Sequence, residues 1–189
     1  MRYSAFVCLA AAALLAVSAC TRMVPVSDPL YTVASDRYGT TQEVGALRVT
    51  VRIVSWRDDP LYRLEPYVTP LYLQVKNQGP HPVPFSLSDA VLVDGDGTLY
   101  RPLPPQRLEG MLTGAKGAVA PQDAVLDPSL YRYDTDLAAT LGALTDGPIE
   151  PGTQIQGALY FQRVTDWTDD ITLRLTLEGE TRAFHFRVR

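Results

Sequence analysis

The sequence predicts an all-β fold with a minor helical part, arranged as an antiparallel β-sandwich, on three observations. Apolar residues recur at every second position through a series of short segments. Gly, Pro, Asn and Asp cluster between those segments, and no regular alternation of strand and helix patterns suggests a parallel sheet. The length of 189 residues, with 46% hydrophobic and 20% charged residues, suits one modest globular domain.

Taken from its start, the chain opens with Arg2 and an uninterrupted apolar run from Ala5 to Val17, followed by the small residues Ser18 and Ala19. That order is expected of a secretion signal. The run is shorter than the ~20 apolar residues that a spanning helix needs, so the mature chain is expected to carry no transmembrane helix. Val17-Ser18-Ala19-Cys20 resembles the lipobox of bacterial lipoproteins, in which small residues admit a signal peptidase and the Cys becomes the lipid carrier. The resemblance implies a signal peptide over residues 1–19, lipid attachment at Cys20 and a membrane anchored through its N-terminal lipid. Thr21, not Asp, follows the Cys, which in a Gram-negative envelope implies the outer membrane, facing the periplasm. Removal of Cys8 with the signal leaves no second thiol for a disulfide, so the hydrophobic core is expected to hold the domain alone.

Residues 20–45 contain Pro25, Ser27, Pro29, Ser35 and Gly39 with no sustained apolar period, and they read as a lipidated N-terminus and tether. As a flexible coil such a segment spans roughly 25–30 Å. Leu30 and Tyr31 are the exception and are expected to dock on the domain.

The sandwich domain is expected over residues 46–189. Leu47, Val49, Val51 and Ile53 alternate with Arg48, Thr50 and Arg52, as one buried strand face requires. Leu71, Leu73 and Val75 repeat the pattern and end in the turn residues Asn77-Gln78-Gly79-Pro80. Ala90 to Val93 and Thr98 to Leu103 flank Asp94-Gly95-Asp96-Gly97 as a hairpin, its glycines supplying positive φ. Ile155, Gly157, Leu159 and Phe161 form another face after Pro151-Gly152. Ile171, Leu173, Leu175 and Leu177 form the next, and Glu178-Gly179-Glu180 turns the chain into Phe184, Phe186 and Val188. Six or seven such strands suit a sandwich of immunoglobulin type, although the cysteine pair and core Trp of an antibody domain are missing. An insertion at about 104–148 breaks the rhythm. Leu108, Met111 and Leu112, and then Leu137, Leu141 and Leu144, have the spacing of short helices, which are expected to fold onto the sandwich.

Several motifs then fall in a familiar order. Val75-Lys76-Asn77 is followed by Pro84-Phe85-Ser86-Leu87-Ser88-Asp89, by Leu92-Val93-Asp94 and by Gly97-Thr98-Leu99-Tyr100; Ile149-Glu150-Pro151-Gly152-Thr153 later leads into Gly157-Ala158-Leu159-Tyr160-Phe161. Residues 47–189 thus resemble the immunoglobulin-like domains of bacterial lipoproteins and secreted antigens. The resemblance implies an extracytoplasmic binding or structural module and supplies no catalytic residue. The insertion departs from it.

The chemistry-bearing residues are few. Seventeen Lys and Arg against 21 Asp and Glu give a formal charge of -4, so no basic field points to nucleic acid. Asp94-Gly95-Asp96-Gly97-Thr98 suggests a calcium loop but lacks the later bidentate Glu, and a hairpin turn with Asx hydrogen bonding is expected there. Asp58-Asp59 and Asp169-Asp170 read as solvated loop carboxylates. His81 and His185 have no ligand spacing, so neither metal nor other cofactor is expected. No nucleophile elbow, phosphate loop or Cys nucleophile occurs, which disfavours an enzyme.

What remains are surface features. Arg48, Arg52, Arg174 and Arg187, with His185, sit opposite the apolar positions of their strands, and would form one basic stripe for an anionic envelope polymer or lipid headgroups if those strands share a sheet. Trp56, Tyr62, Tyr131 and Tyr133 have the composition of a protein interface. The expected function is therefore a lipid-anchored envelope module that binds a protein or polymer. A small-molecule or metal binder with the insertion as a lid is the alternative, and an enzyme stands third.

Overall fold

The computed structural model describes residues 23–54, 67–113, 142–164 and 169–188. Its strands are antiparallel, and two five-stranded sheets hold the core between them. The first sheet has the order β1 (Met23–Val26), β12 (Glu180–Val188), β11 (Asp170–Leu177), β7 (Ala90–Asp94) and β8 (Leu99–Tyr100). The second has the order β10 (Gln154–Gln162), β5 (Val68–Asn77), β4 (Leu47–Ile53), β3 (Gly39–Val44) and β2 (Thr32–Ser35). A separate two-stranded ribbon pairs β6 (Val83–Phe85) with β9 (Gly147–Ile149). Among the described residues one α-helix occurs, α1 (Pro105–Thr113), and none is long and apolar enough to cross a membrane.

The period of two decides which atoms meet. Leu47, Val49 and Val51 of β4 and Leu71, Leu73 and Val75 of β5 join Leu173 and Leu175 of β11 and Phe184 and Phe186 of β12 in one buried cluster. Each such side chain contributes about 1.5–3 kcal/mol by leaving water. The registers Val49↔Val75 and Leu173↔Phe184 place the apolar partners side by side, so a one-residue slip would turn either face out to solvent.

A smaller cluster lies on the opposite face of the second sheet. Leu108 and Met111 of α1 cover Val68 of β5 and Ala158 and Tyr160 of β10, together with Leu103. The three-residue spacing of Leu108 and Met111 puts both on the helix face that docks, as the sequence leads one to expect. The insertion thus begins as a cover for the sheet. It also closes the free edge of β10: the Leu103 amide donates to the Tyr160 carbonyl at 2.6 Å, and the Ala158 amide donates to the Gly142 carbonyl at 2.7 Å. An apolar edge strand left unpaired would be a template for aggregation, and these contacts remove it.

The structure corrects the tether. Residues 23–44 supply β1, β2 and β3, with β1 paired along β12 and β3 paired along β4. The inward positions of β3 are Thr40, Gln42 and Val44, exposed by 1% each, so two of the three are polar and show no apolar period. The Gln42 side-chain amide donates across to the Ala183 carbonyl of β12 at 2.8 Å, which gives its buried nitrogen a partner between the sheets. Tyr31 stays close through the Arg182 guanidinium over its ring at 4.7 Å, whereas Leu30 is 82% exposed and does not dock.

The hairpin forms with Val93↔Leu99 paired, but β8 stops at Tyr100 instead of continuing to Leu103. Pro102, which has no amide to donate, bridges Phe161 of the other sheet. Of the two turn glycines only Gly97 has a positive φ, at 85°. Leu137 and Leu141 lie outside the described residues. Leu144 is not helical; it is buried beside β10, next to the parallel bridge Ala143↔Ala158.

Candidate functional site

The expected basic stripe is divided by the fold. Arg48 and Arg52 lie on β4 of one sheet, and Arg174, His185 and Arg187 on β11 and β12 of the other, so the two groups face outward on opposite sides. Period-two spacing gives the face of a strand but not its sheet. Two of these arginines are also engaged: Arg52 pairs with Asp36 at 2.5 Å, and Arg187 Nε with Asp170 at 3.3 Å. The amides of Tyr38 and Gly39, with Arg52, hold the Asp36 carboxyl below its ordinary value. The His185 ring nitrogen Nδ1 shares a hydrogen bond with Thr172 Oγ1 at 3.0 Å, and His81 accepts at its carbonyl from Asn77. Cys20, Trp56, Tyr62, Tyr131 and Tyr133 lie outside the described residues.

A different pair of arginines comes together. The switch of the chain from β8 to the edge of β10 at Pro102 brings Arg101 beside the first turn of α1, which carries Arg107. Both line a cleft of about 340 Å³ with Leu99, Tyr100, Pro104 and Gln162. Both arginines are exposed, and among the described residues neither has an ion-pair partner. Among the described residues no carboxylate lines the cleft.

The buried acid of the adjoining hairpin is committed to its own turn. Asp94 is 6% exposed; its Oδ1 accepts from the Thr98 amide at 2.8 Å and the Asp96 amide at 3.1 Å, and its Oδ2 accepts from the Tyr100 hydroxyl at 2.8 Å. Burial opposes the charge on Asp94, yet the Tyr100 hydroxyl and the Thr98 and Asp96 amides outweigh it and keep the carboxyl below its ordinary value. Burial, then the adjacent Asp94, pushes the Tyr100 phenol above 10.0. The hairpin is therefore an Asx turn built around its own carboxylate, in the form expected from Asp94-Gly95-Asp96-Gly97-Thr98.

This arrangement suits an anion. The two guanidiniums, with no ion-pair partner among the described residues, offer fork-shaped donors to carboxylate or phosphate oxygens, and the Gln162 amide adds polar capacity at the wall. Sequence reading passed over the pair because Arg101 and Arg107 are six residues apart in a Pro-rich stretch, without strand or helix periodicity. The signal available was Arg101-Pro102-Leu103-Pro104-Pro105-Gln106-Arg107 itself, cationic at both ends and free of acids.

No family model matches the chain, and no curated protein sequence matches it. Similar solved structures include the candidate lipoprotein ycdA of Bacillus subtilis, at 17% identity and a TM-score of 0.47, with 78% of this chain and 38% of that chain covered. This chain thus spans under half the length of ycdA. The yjhA protein of Bacillus subtilis matches at 16% identity and a TM-score of 0.41, covering 72% of this chain and 76% of the other. A protein of unknown function from Listeria monocytogenes matches at 15% identity and a TM-score of 0.42, covering 84% and 87%.

Proposed function

We propose that the chain is a lipid-anchored module of a bacterial envelope that works by binding a protein or an anionic polymer through its surface. The observation that carries the reading is the position of Val17-Ser18-Ala19-Cys20 directly after the apolar run and three residues before the first strand at Met23. A lipid on Cys20 would hold a folded β-domain at the membrane with no spacer. We read the architecture as an immunoglobulin-like sandwich, a reading supported by the two antiparallel sheets and by the Asn77 and Pro151-Gly152 turns at one end of them. In a Gram-negative envelope, Thr21 after the Cys favours the outer membrane.

The test is metabolic labelling with a fatty acid, followed by fractionation of the wild type and Cys20→Ala. Label in the wild type and release of a folded Cys20→Ala chain from membranes are expected. Continued membrane association of the unlabelled variant would sink the anchor. Reversible cross-linking of the native protein in its envelope then reads the partner: a specific protein or glycan supports the binding role, and recovery of none counts against it.

A further inference from the structure

We propose that the end of the sandwich at which Met23 enters lies against the lipid surface, with Arg101 and Arg107 taking the phosphates of anionic lipid headgroups. The inference rests on the lipid-anchored reading and adds the orientation of the domain and a second attachment to it.

Chain length sets the first constraint. Three residue steps separate Cys20 from Met23, at most about 11 Å of extended chain. Met23 pairs with Val188, whose amide donates to the Asp169 carbonyl, so the end of β12 and the start of β11 share this end. Register carries the level across the sheet. Val26 lies opposite His185, His185 opposite Thr172, Thr172 opposite Val93 and Val93 opposite Leu99. Leu99 thus stands three residue rises, about 10 Å, from the level of Met23. In the second sheet Gln162 ends β10 opposite Val68, where β5 starts, and both Gln162 and Leu99 line the arginine cleft.

The second constraint is chemical. Leu99 is 64% exposed on the hairpin, beside two cations that have no ion-pair partner among the described residues. An exposed apolar side chain beside guanidiniums fits the boundary between headgroups and water, where it leaves water and the cations keep phosphate company; the two cations outnumber the exposed carboxylate of Asp96 on the turn before it. β1 and β8 are opposite edges of their sheet, four strand spacings or roughly 19 Å apart, so the cleft contacts the membrane at a distance from the anchor. Two separated attachments fix the tilt of the domain, which a single lipidated residue leaves free. The turn at Asn77–Pro80, at the far end of β5, then points away from the membrane.

The experiment uses the mature lipidated protein, in which an introduced Cys is the only thiol. Spin labels on Leu99→Cys and Gln78→Cys are compared in phosphatidylcholine vesicles with and without phosphatidylglycerol, by their access to a water-soluble relaxation agent. Shielding of the Leu99 position that depends on phosphatidylglycerol, with the Gln78 position open throughout, is expected. Arg101→Glu and Arg107→Glu, introduced into the Leu99→Cys protein, should each weaken that shielding roughly fivefold, without release from the vesicle. Equal exposure of the two labels, or shielding indifferent to both arginines, overturns the proposal. So does inorganic phosphate that binds in neutral detergent with the same arginine dependence while vesicles leave Leu99 open, which would assign the cleft to free phosphate. Intact mass separates the failures: an unmodified Cys20 removes the anchor and this proposal together, whereas a lipidated protein with an exposed Leu99 label removes this proposal alone.

Discussion

The side-chain amide of Asn77 donates to the carbonyl of Ile149 at 2.9 Å, across 72 residues of sequence, and to the carbonyl of His81 at 2.7 Å. Its Oδ1 accepts from the Gly79 amide at 2.8 Å, while its backbone accepts from the Gly152 amide and donates to the Thr153 carbonyl. One fully buried residue thus ties the end of β5 to the turn that follows it, to β9 and to the Pro151-Gly152 turn. The motifs that are far apart in sequence, Val75-Lys76-Asn77 and Ile149-Glu150-Pro151-Gly152-Thr153, are neighbours because this side chain satisfies the carbonyls between them.

Asn77→Ala should therefore destabilise the domain by about 2–4 kcal/mol, since two carbonyls lose a donor in a place water reaches poorly. Asn77→Asp should be worse at neutral pH, because it turns a charged oxygen toward the same carbonyls. Urea denaturation of the three proteins checks the order, and a stability of Asn77→Asp equal to wild type would contradict the assigned bonds.

Gly157 is the close-approach position of β10. A Cβ built there would stand 2.7 Å from the Gly142 carbonyl oxygen and 3.0 Å from the Leu144 amide nitrogen, both backbone atoms that cannot rotate away. Gly157→Ala should cost about 1–3 kcal/mol by displacing residues 142–144 from the strand edge. Hydrogen exchange should localise the loss to the Ala158 and Leu144 amides. A variant with wild-type exchange at both would show that the segment can shift without leaving the edge.

The strands that read plainly in the sequence are those whose inward positions are apolar: β4, β5, β7, β10, β11 and β12. β3 escaped because Thr40 and Gln42 face inward, and a polar side chain leaves no hydropathy signal of its partner across the core. α1 was legible through Leu108 and Met111. The arginine cleft was not, because Arg101 and Arg107 meet only after Pro102 carries the chain from one sheet to the other. That crossing is a tertiary event with no local period, and the same blindness to sheet membership made one stripe of arginines that belong to two faces.

Leu73 is fully buried, with Val51 on one side in β4 and Gly157 on the other in β10. Leu73→Ala should cost about 2–5 kcal/mol through lost transfer energy and the cavity left behind. Leu73→Asp should prevent folding, as it buries a charge with no partner. Circular dichroism melting of both variants is the check; a soluble Leu73→Asp chain with unchanged melting would contradict the position of β5 in the core.

Asp94 and Tyr100 make the hairpin sensitive to pH at both extremes. The carboxyl of Asp94 is held below its ordinary 3.8, so its contribution is present above that value and is lost as pH falls through the lower, folded value. The phenol of Tyr100 is raised above 10.0, so the protonated hydroxyl that donates to Asp94 contributes below that value and is lost as pH rises through the folded one. Asp94→Ala removes the acceptor of all three bonds and should cost about 1–3 kcal/mol across the neutral range. The difference in melting between wild type and Asp94→Ala should be level from weakly acidic to weakly alkaline pH and shrink beyond both limits. Tyr100→Phe should abolish the alkaline part and leave most of the acid part, because the Thr98 and Asp96 amides still hold the carboxylate. A difference that stays level into strong acid would mean that the carboxylate gains nothing from those bonds on folding.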